Sequence, residues 1–350
     1  MILKLFAEQF KLLALSGALT AALSLFVAPV ARSIALVDSP NERKLHVGDV
    51  PAIGGLCIYL ASSFTFIFFS DGLDFFIGSL LFFGGIVLLI GVVDDFLDVS
   101  AKIKFVVLLG ISSAAIYSME LQVTSFGDLL GIGYLVDLGA MSLPFTILAI
   151  LAITNAFNML DGCDGLSGGI ALITIIGLLS FGQFPASASL SVFLVALAGC
   201  IAVFLIFNFA SKQSLKIFLG DGGSLFLGFV IALSAVSHVS NEAAFIPSTF
   251  LWFFAVPIFD LVSVVVIRLV RGKNLMVADR SHVHHCLLSL GLSKGQTVTS
   301  ILAAVSAFIC FGIVVENTYP HFSFILFISV FFVCLCFRLF FPIFRRCVDG

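Results

Sequence analysis

The stretch FFIGSLLFFGGIVLLIGVVDDFLD, Phe75 to Asp98, decides the fold. Residues 75–93 carry no charge, and the run then ends on Asp94, Asp95 and Asp98. An uncharged apolar run of this kind matches the ~20 residues an α-helix needs to cross ~30 Å of hydrocarbon. Carboxylates at its end belong where water begins.

The same signature recurs from end to end. The 350-residue chain is 61% hydrophobic and 11% charged and contains 41 Phe. Its mean hydropathy of +1.22 lies outside the range of soluble domains. Windows long enough to span fall near 10–31, 51–70, 75–93, 103–119, 141–157, 166–183, 187–207, 217–237, 245–267, 298–315 and 322–341. The expected fold is therefore an all-α integral membrane protein, a polytopic bundle of about eleven transmembrane helices forming a single domain over residues 1–350. The first window reads as a retained helix, because its apolar run is too long for a signal peptide and VAPVARS is a poor cleavage site.

An odd number of spans puts the termini on opposite sides. With the N-terminus outside, fifteen Lys and Arg residues fall in inner segments, and only Lys4 and Lys11 fall outside. Positive charge accumulates on the cytoplasmic side, so the C-terminus is expected in the cytoplasm. None of the eight cysteines falls in an outer connection, which argues against disulfides and a structural zinc site. The inner connection 268–297 is the only one large enough for a small element of its own.

This topology divides the acids. Glu8, Asp71, Asp74, Glu120, Asp128, Asp137, Glu242 and Glu316 scatter over short outer loops, where solvation explains them. The inner acids form motifs. In VDSPNERKLHVGDVPAIGG, a turn signal precedes Arg43, Lys44 and His46, which suit either anionic lipid or capture of a phosphate. Asp94 and Asp95 repel one another at a membrane boundary unless a cation or a proton relieves them.

The third motif, NAFNMLDGCDGLSGG, spaces Asn155, Asn158, Asp161 and Asp164 by three residues, close to one helical face if the helix persists. Gly162 and Gly165 make that persistence doubtful beyond Asp161. A helix end beside carboxylates suits a phosphate held through a metal; a plain turn or a helix-packing role for the Asn residues competes with that. The fourth motif places Asp221 among Gly220, Gly222 and Gly223, where backbone can approach a ligand closely.

The fifth gathers Asp279, Arg280, His282, His284 and His285 within seven residues. Anion binding is favoured over zinc, because no further ligand completes a tetrahedral set. Asp260 stands apart as the one clear intramembrane acid.

In order along the chain, DSPNERKLH, VPAIGG, DDFLD, NAFNMLDGCDGL, FLGDGGS and DRSHVHH resemble the motifs of the polyprenyl-phosphate N-acetylhexosamine-1-phosphate transferases, and the likeness spans essentially the whole chain. Val283 interrupts a possible histidine triple, which favours the GlcNAc branch of that family. The resemblance implies transfer of GlcNAc-1-phosphate from UDP-GlcNAc to undecaprenyl phosphate, giving GlcNAc-diphospho-undecaprenol and UMP and priming O-antigen or a related surface polysaccharide. It implies Mg²⁺, with Mn²⁺ as a substitute, on Asp221 and Asn158. Asp94 and Asp95 resemble the pair that activates the lipid phosphate, and Lys104 a cation near the pyrophosphate, with Lys102 as the fallback. Asp161 and Asp164 resemble residues of the nucleotide-sugar site, with Asn155 supporting them. Arg280, His282, His284 and His285 resemble the loop that binds sugar and phosphate.

The expected partners are UDP-GlcNAc, undecaprenyl phosphate and membrane lipid, without nucleic acid; a homodimer stays open. The expected location is the bacterial inner membrane, with the active site on the cytoplasmic face. A membrane prenyltransferase using DDFLD as a DDxxD motif and a transporter using Asp260 as a proton site are the competing readings.

Overall fold

The computed structural model describes residues 2–38, 48–70, 72–129, 131–181, 188–241, 247–274 and 281–348. Helix dominates, as backbone groups in hydrocarbon must be satisfied within their own segment. In chain order the longer helices are α1 (Ile2–Ser33), α2 (Gly54–Phe69), α3 (Phe75–Leu97), α4 (Ala101–Met119), α5 (Ser142–Leu160), α6 (Leu166–Ser180), α7 (Ala188–Asn208) and α8 (Gly220–Asn241). A one-turn α9 (Phe250–Phe253) leads into α10 (Ala255–Val270), followed by α11 (Val283–Ser289), α12 (Lys294–Thr318) and α13 (Ser323–Val348).

Each of the expected windows contains a helix, and among the described residues eight helices are by themselves long and apolar enough to cross a membrane. Helices α2, α6 and α10 have 16, 15 and 16 residues. At 1.5 Å per residue each is about 24 Å long or less, short of ~30 Å of hydrocarbon.

The single span expected over 245–267 is corrected. A 3-10 turn at Pro247–Thr249 and α9 precede α10, with the break at Phe254. Pro257 lacks the N–H that would bond the carbonyl four residues back, and it is tolerated in the first turn of a new helix. Two further departures from all-α are small. Strands β1 (Val37–Asp38) and β2 (Val50–Pro51) pair antiparallel, and Ser125 forms an isolated bridge with Asp137.

Helix ends follow local chemistry. Asp74 caps α3 by accepting from the Ile77 N–H at 2.8 Å. At the other end Asp98 turns into the left-handed region at φ 48°, and Ser100 caps α4. Residues 268–297 do carry a small element, α11, and Ser293 with Gln296 forms a capping box that starts α12.

The centre of the bundle is α8. Nearly all of it is buried, and it packs against α2, α3, α5 and α6. A helix apolar all round suits that position. Its first turn touches backbone on two sides. A Cβ on Gly55 of α2 would lie 2.2 Å from the Gly223 Cα, and one on Gly91 of α3 would lie 2.3 Å from the Gly222 Cα. Such contact needs glycine on both partners.

The preceding segment adds hydrogen bonds. The Gly54 and Gly55 N–H groups donate to the Phe218 and Leu219 carbonyls at 2.8 and 2.9 Å, and the Phe218 N–H donates to Pro51 O at 2.8 Å. Asp221 is thus seated where α2, α3 and α8 meet.

Candidate active site

Four elements deliver side chains to that seat. Lys104, on the first turns of α4, is ion-paired with Asp94 and lies 3.2 Å from Asp221 Oδ2. The second oxygen of Asp94 accepts from the Val99 N–H at 2.9 Å, so this buried carboxylate is held on both sides. On Asp221, Oδ1 accepts from Asn158 Nδ2 at 3.0 Å, and the same amide nitrogen lies 3.0 Å from Ser224 Oγ. Asp95 does something else: its Oδ1 accepts from the Asp221 backbone N–H at 3.1 Å, capping the start of α8. Gly220 makes room for it, with φ +77° and a would-be Cβ only 2.8 Å from Asp95 Oδ2.

The NAFNMLDGCDGL stretch runs as helix to Leu160 and then turns, with Gly165 left-handed at φ 77°. Asn158 therefore points from the last helical turn, and Asp161 and Asp164 come from the loop. Asp164 is ion-paired with Lys216 at 2.6 Å, and the ammonium of Lys216 also sits 5.5 Å from the Phe218 ring centroid. Lys216 was not among the expected site residues, although its place just before FLGDGGS and five residues before Asp221 was a usable signal. Burial first, then the charges of Asp221, Asp95, Asp164 and Asp38, push the Asp161 carboxyl well above the usual range.

The histidine motif packs onto this loop. A Cβ on Gly162 would fall 2.3 Å from His284 Nε2, so glycine is what admits the ring. His284 is buried, and neither of its ring nitrogens has a hydrogen-bond partner among the described residues. Its ring lies parallel to that of His282, at 7° with centroids 6.1 Å apart, and 4.1 Å from that of His285.

His282 Nδ1 bonds to Asp260 Oδ2 at 2.6 Å, and the Val283 N–H donates to Asp260 Oδ1 at 2.7 Å. Asp260, expected as an isolated intramembrane acid, is thus tied to the histidine motif and to Arg338 of α13, 2.9 Å away. A carboxylate so occupied is poorly suited to proton transport.

The structure therefore brings together Asp94, Asp95, Lys104, Asn158, Asp161 and Asp221, with Asp164, His282 and His284 on the adjoining loop and α11. The amide nitrogen of Asn155 donates to Leu151 O at 2.8 Å, back along α5. Arg43, His46 and Arg280 lie outside the described residues. Asp98, the last acid of DDFLD, is exposed and caps α3 in the left-handed region, off the helical face that a DDxxD motif would require. Among the described residues no cluster of three His, Cys, Asp or Glu side chains is arranged to hold a metal, and Cys57, Cys163, Cys200, Cys286, Cys310, Cys334 and Cys336 are free.

Burial, with a smaller contribution from His285, lowers the His284 pKa from 6.5 to about 4. The unfolded chain then takes up this proton first on acidification, so native stability falls between pH 6.5 and about 4. The full effect is about 3 kcal/mol. Asp161 acts with the opposite sign, because its raised carboxyl is protonated earlier in the native state. His284→Gln removes the first effect and keeps the second. Its Tm in detergent is expected to fall less than the wild type's between pH 6.5 and 5, as differential scanning fluorimetry can check.

Comparison with known proteins meets this geometry. Residues 75–239, from the start of α3 almost to the end of α8, match the family described as Glycosyl transferase family 4. The undecaprenyl-phosphate alpha-N-acetylglucosaminyl 1-phosphate transferase of Escherichia coli K12 is 30% identical over 318 residues, which cover 88% of this chain and 85% of that protein. The proteins of the same name from Salmonella typhi and Yersinia pestis are each 32% identical, over 87% and 84% of this chain and 84% and 80% of theirs. The chain belongs to glycosyl transferase family 4, among the polyprenyl-phosphate N-acetylhexosamine-1-phosphate transferases, and is a multi-pass membrane enzyme of that family.

Proposed function

We propose that this phosphoglycosyl transferase moves GlcNAc-1-phosphate from UDP-GlcNAc to undecaprenyl phosphate, releasing UMP. The observation that carries the reading is the cation of Lys104 held between Asp94 and Asp221, with Asn158 on the far side of Asp221. That arrangement places one positive charge among oxygen donors at the ends of four helices, which suits phosphates arriving from both water and lipid. The names of the relatives support the lipid acceptor and the N-acetylglucosaminyl phosphate.

In the proposed reaction an oxygen of the lipid phosphate attacks the β-phosphorus of UDP-GlcNAc, the bond from that phosphorus to the bridging oxygen breaks, and UMP leaves. A phosphate monoester is already nucleophilic near neutral pH, so positioning and charge compensation matter more than a strong base. Asp94 orients the attacking phosphate through Lys104. Its two oxygens are taken by Lys104 and the Val99 N–H, which disfavours a covalent aspartyl intermediate.

The donor set fits Mg²⁺, or Mn²⁺ in its place: Asp221, Asn158 and Asp161 offer hard oxygens, and Asp94 and Asp95 add carboxylates close by. Mg²⁺ usually takes one or two protein carboxylates and completes its shell with phosphate and water, so a full protein cage is not needed. When bound, it neutralises charge on the diphosphate. Asp164 with Lys216, and His282 and His284 with Arg280, are proposed to bind the nucleotide sugar.

The proposal extends to placement. The apolar residues flanking the short helices α2, α6 and α10 complete three further spans, so that eleven segments cross the inner membrane with the N-terminus outside; the site faces the cytoplasm, and the product primes O-antigen or a similar surface polymer. To test the reaction, membranes containing the protein are incubated with labelled UDP-GlcNAc and undecaprenyl phosphate. Label should enter the lipid phase together with UMP release, and only with Mg²⁺ or Mn²⁺; its absence overturns the reading.

Asp128 supplies a control for sidedness. Its carboxylate accepts from the Ile132 and Gly133 N–H groups at 3.2 and 2.7 Å in the loop between α4 and α5, away from the site. Asp128→Ala is expected to leave the transfer rate within about twofold, as for a surface position. A large loss in the same assay would mean that the sides have been reversed.

A further inference from the structure

We infer that Asp260 and Arg338 are positioning residues for the transfer reaction: together they fix the tautomer and the orientation of His282, which makes α13 a working part of the site. This rests on the reaction proposed above.

The carboxylate of Asp260 is 3% exposed and fully engaged. Oδ2 meets His282 Nδ1 at 2.6 Å, while Oδ1 accepts from the Val283 N–H at 2.7 Å and from Arg338 Nη1 at 2.9 Å. The other arm of the guanidinium donates to the Ser281 carbonyl. One buried ion pair thus grips three consecutive residues, Ser281, His282 and Val283, at the point where the loop becomes α11.

Stability does not explain such an arrangement. A buried ion pair is often no more stabilising than an apolar pair of the same size, because desolvation offsets the attraction. Tight packing does not explain it either, since a cavity of about 350 Å³ lies against Asp260, Arg338, Val283 and Cys334. A carboxylate on one ring nitrogen of a histidine does have a chemical consequence. It accepts a hydrogen bond from Nδ1–H, so the ring is held in one tautomer and one plane, with Nε2 left to meet a phosphate or water. The orientation is passed on: His284 lies parallel to His282 and rests on Gly162, beside Asp161.

The test uses the full-length reconstituted enzyme. Asp260→Asn should lower kcat by about 10-fold to 100-fold, as when the carboxylate partner of a functional histidine is lost, with the KM for UDP-GlcNAc changed less than about threefold. If Asp260 acts through His282, the same substitution made in His282→Gln should change kcat less than about twofold. Arg338→Lys keeps the charge but loses the fork, and serves if Asp260→Asn does not fold; it should lose about threefold to tenfold, again only when His282 is present.

The inference is overturned if Asp260→Asn is as active as wild type, or if its full loss persists in His282→Gln. A second readout does not depend on the reaction. In ¹⁵N-histidine spectra, the resonance that disappears in His282→Gln should be an Nδ1-protonated ring in wild type and should shift in Asp260→Asn or Arg338→Lys. An Nε2-protonated neutral ring, or a resonance unmoved by those substitutions, rejects the inference. Failure of wild type to transfer label rejects the proposed reaction instead, and the spectra then decide whether the clasp sets the tautomer.

Discussion

Asp221→Ala is expected to abolish transfer, with kcat lowered on the order of 10³-fold, while the protein still inserts and folds. The size follows from removing a preorganised electrostatic group at a phosphoryl-transfer site, where such groups are worth several kcal/mol. Asp221 receives Lys104 on one oxygen and Asn158 on the other. Without it, among the described residues, Lys104 keeps Asp94 and the Asn158 amide keeps Ser224. The seat for the diphosphate then loses the group that links α4 to α5.

Stability should change little, because the Asp221 side chain is 38% exposed and its removal thins a crowd of carboxylates. The expected pattern is unchanged yield and Tm with transfer lost at every Mg²⁺ concentration. Substantial activity at saturating Mg²⁺ would contradict a metal-ligand role for Asp221.

Gly91→Ala is expected to lower kcat about 100-fold, because roughly 1 Å of displacement at a reacting centre is enough for that loss. A Cβ there would meet the Gly222 Cα and N at 2.3 Å, against the 3.4 Å at which ordinary contact begins. Both obstructing atoms are backbone, so α3 and α8 must part. Asp94 and Asp95 ride on α3 and Asp221 on α8, and the separation therefore opens the site itself. Overpacking of this kind also costs about 1–3 kcal/mol of stability.

Gly110→Ala is the control, since nothing lies within 4 Å of a Cβ at that position on α4. Ala is the better helix former there, so activity should be unchanged and Tm equal or slightly higher. Equal activity in the two variants, measured by lipid-phase label and fluorimetry, would show that backbone contact between α3 and α8 does not set the site.

Much of this arrangement could be read from residue order. The windows lie where helices form, since hydropathy over ~20 residues is a local property. The helix end at Leu160 followed from glycines after Asp161, and the small element in 268–297 from the length of that connection. The short helices α2, α6 and α10 were harder to recognise as short, because apolar residues flanking a helix extend its window whether or not they are helical. Asn155 shares its spacing with Asn158, yet its side chain returns to its own helix. An Asn in an apolar helix meets either a carbonyl four residues back or a neighbour, and spacing does not distinguish the two.

From the sequence alone come the membrane class, the helical windows and the gathering of acids and histidines into a few motifs, because hydropathy and charge are written residue by residue. Tertiary structure alone decides which charges meet. Asp260 finds His282 22 positions away and Arg338 78 positions away, and Lys104 finds Asp221 117 positions away. Those pairings depend on which helix faces touch, and around Asp221 that is set by glycines of α2, α3 and α8 meeting backbone to backbone, a lateral fit to which neither hydropathy nor helical period is sensitive.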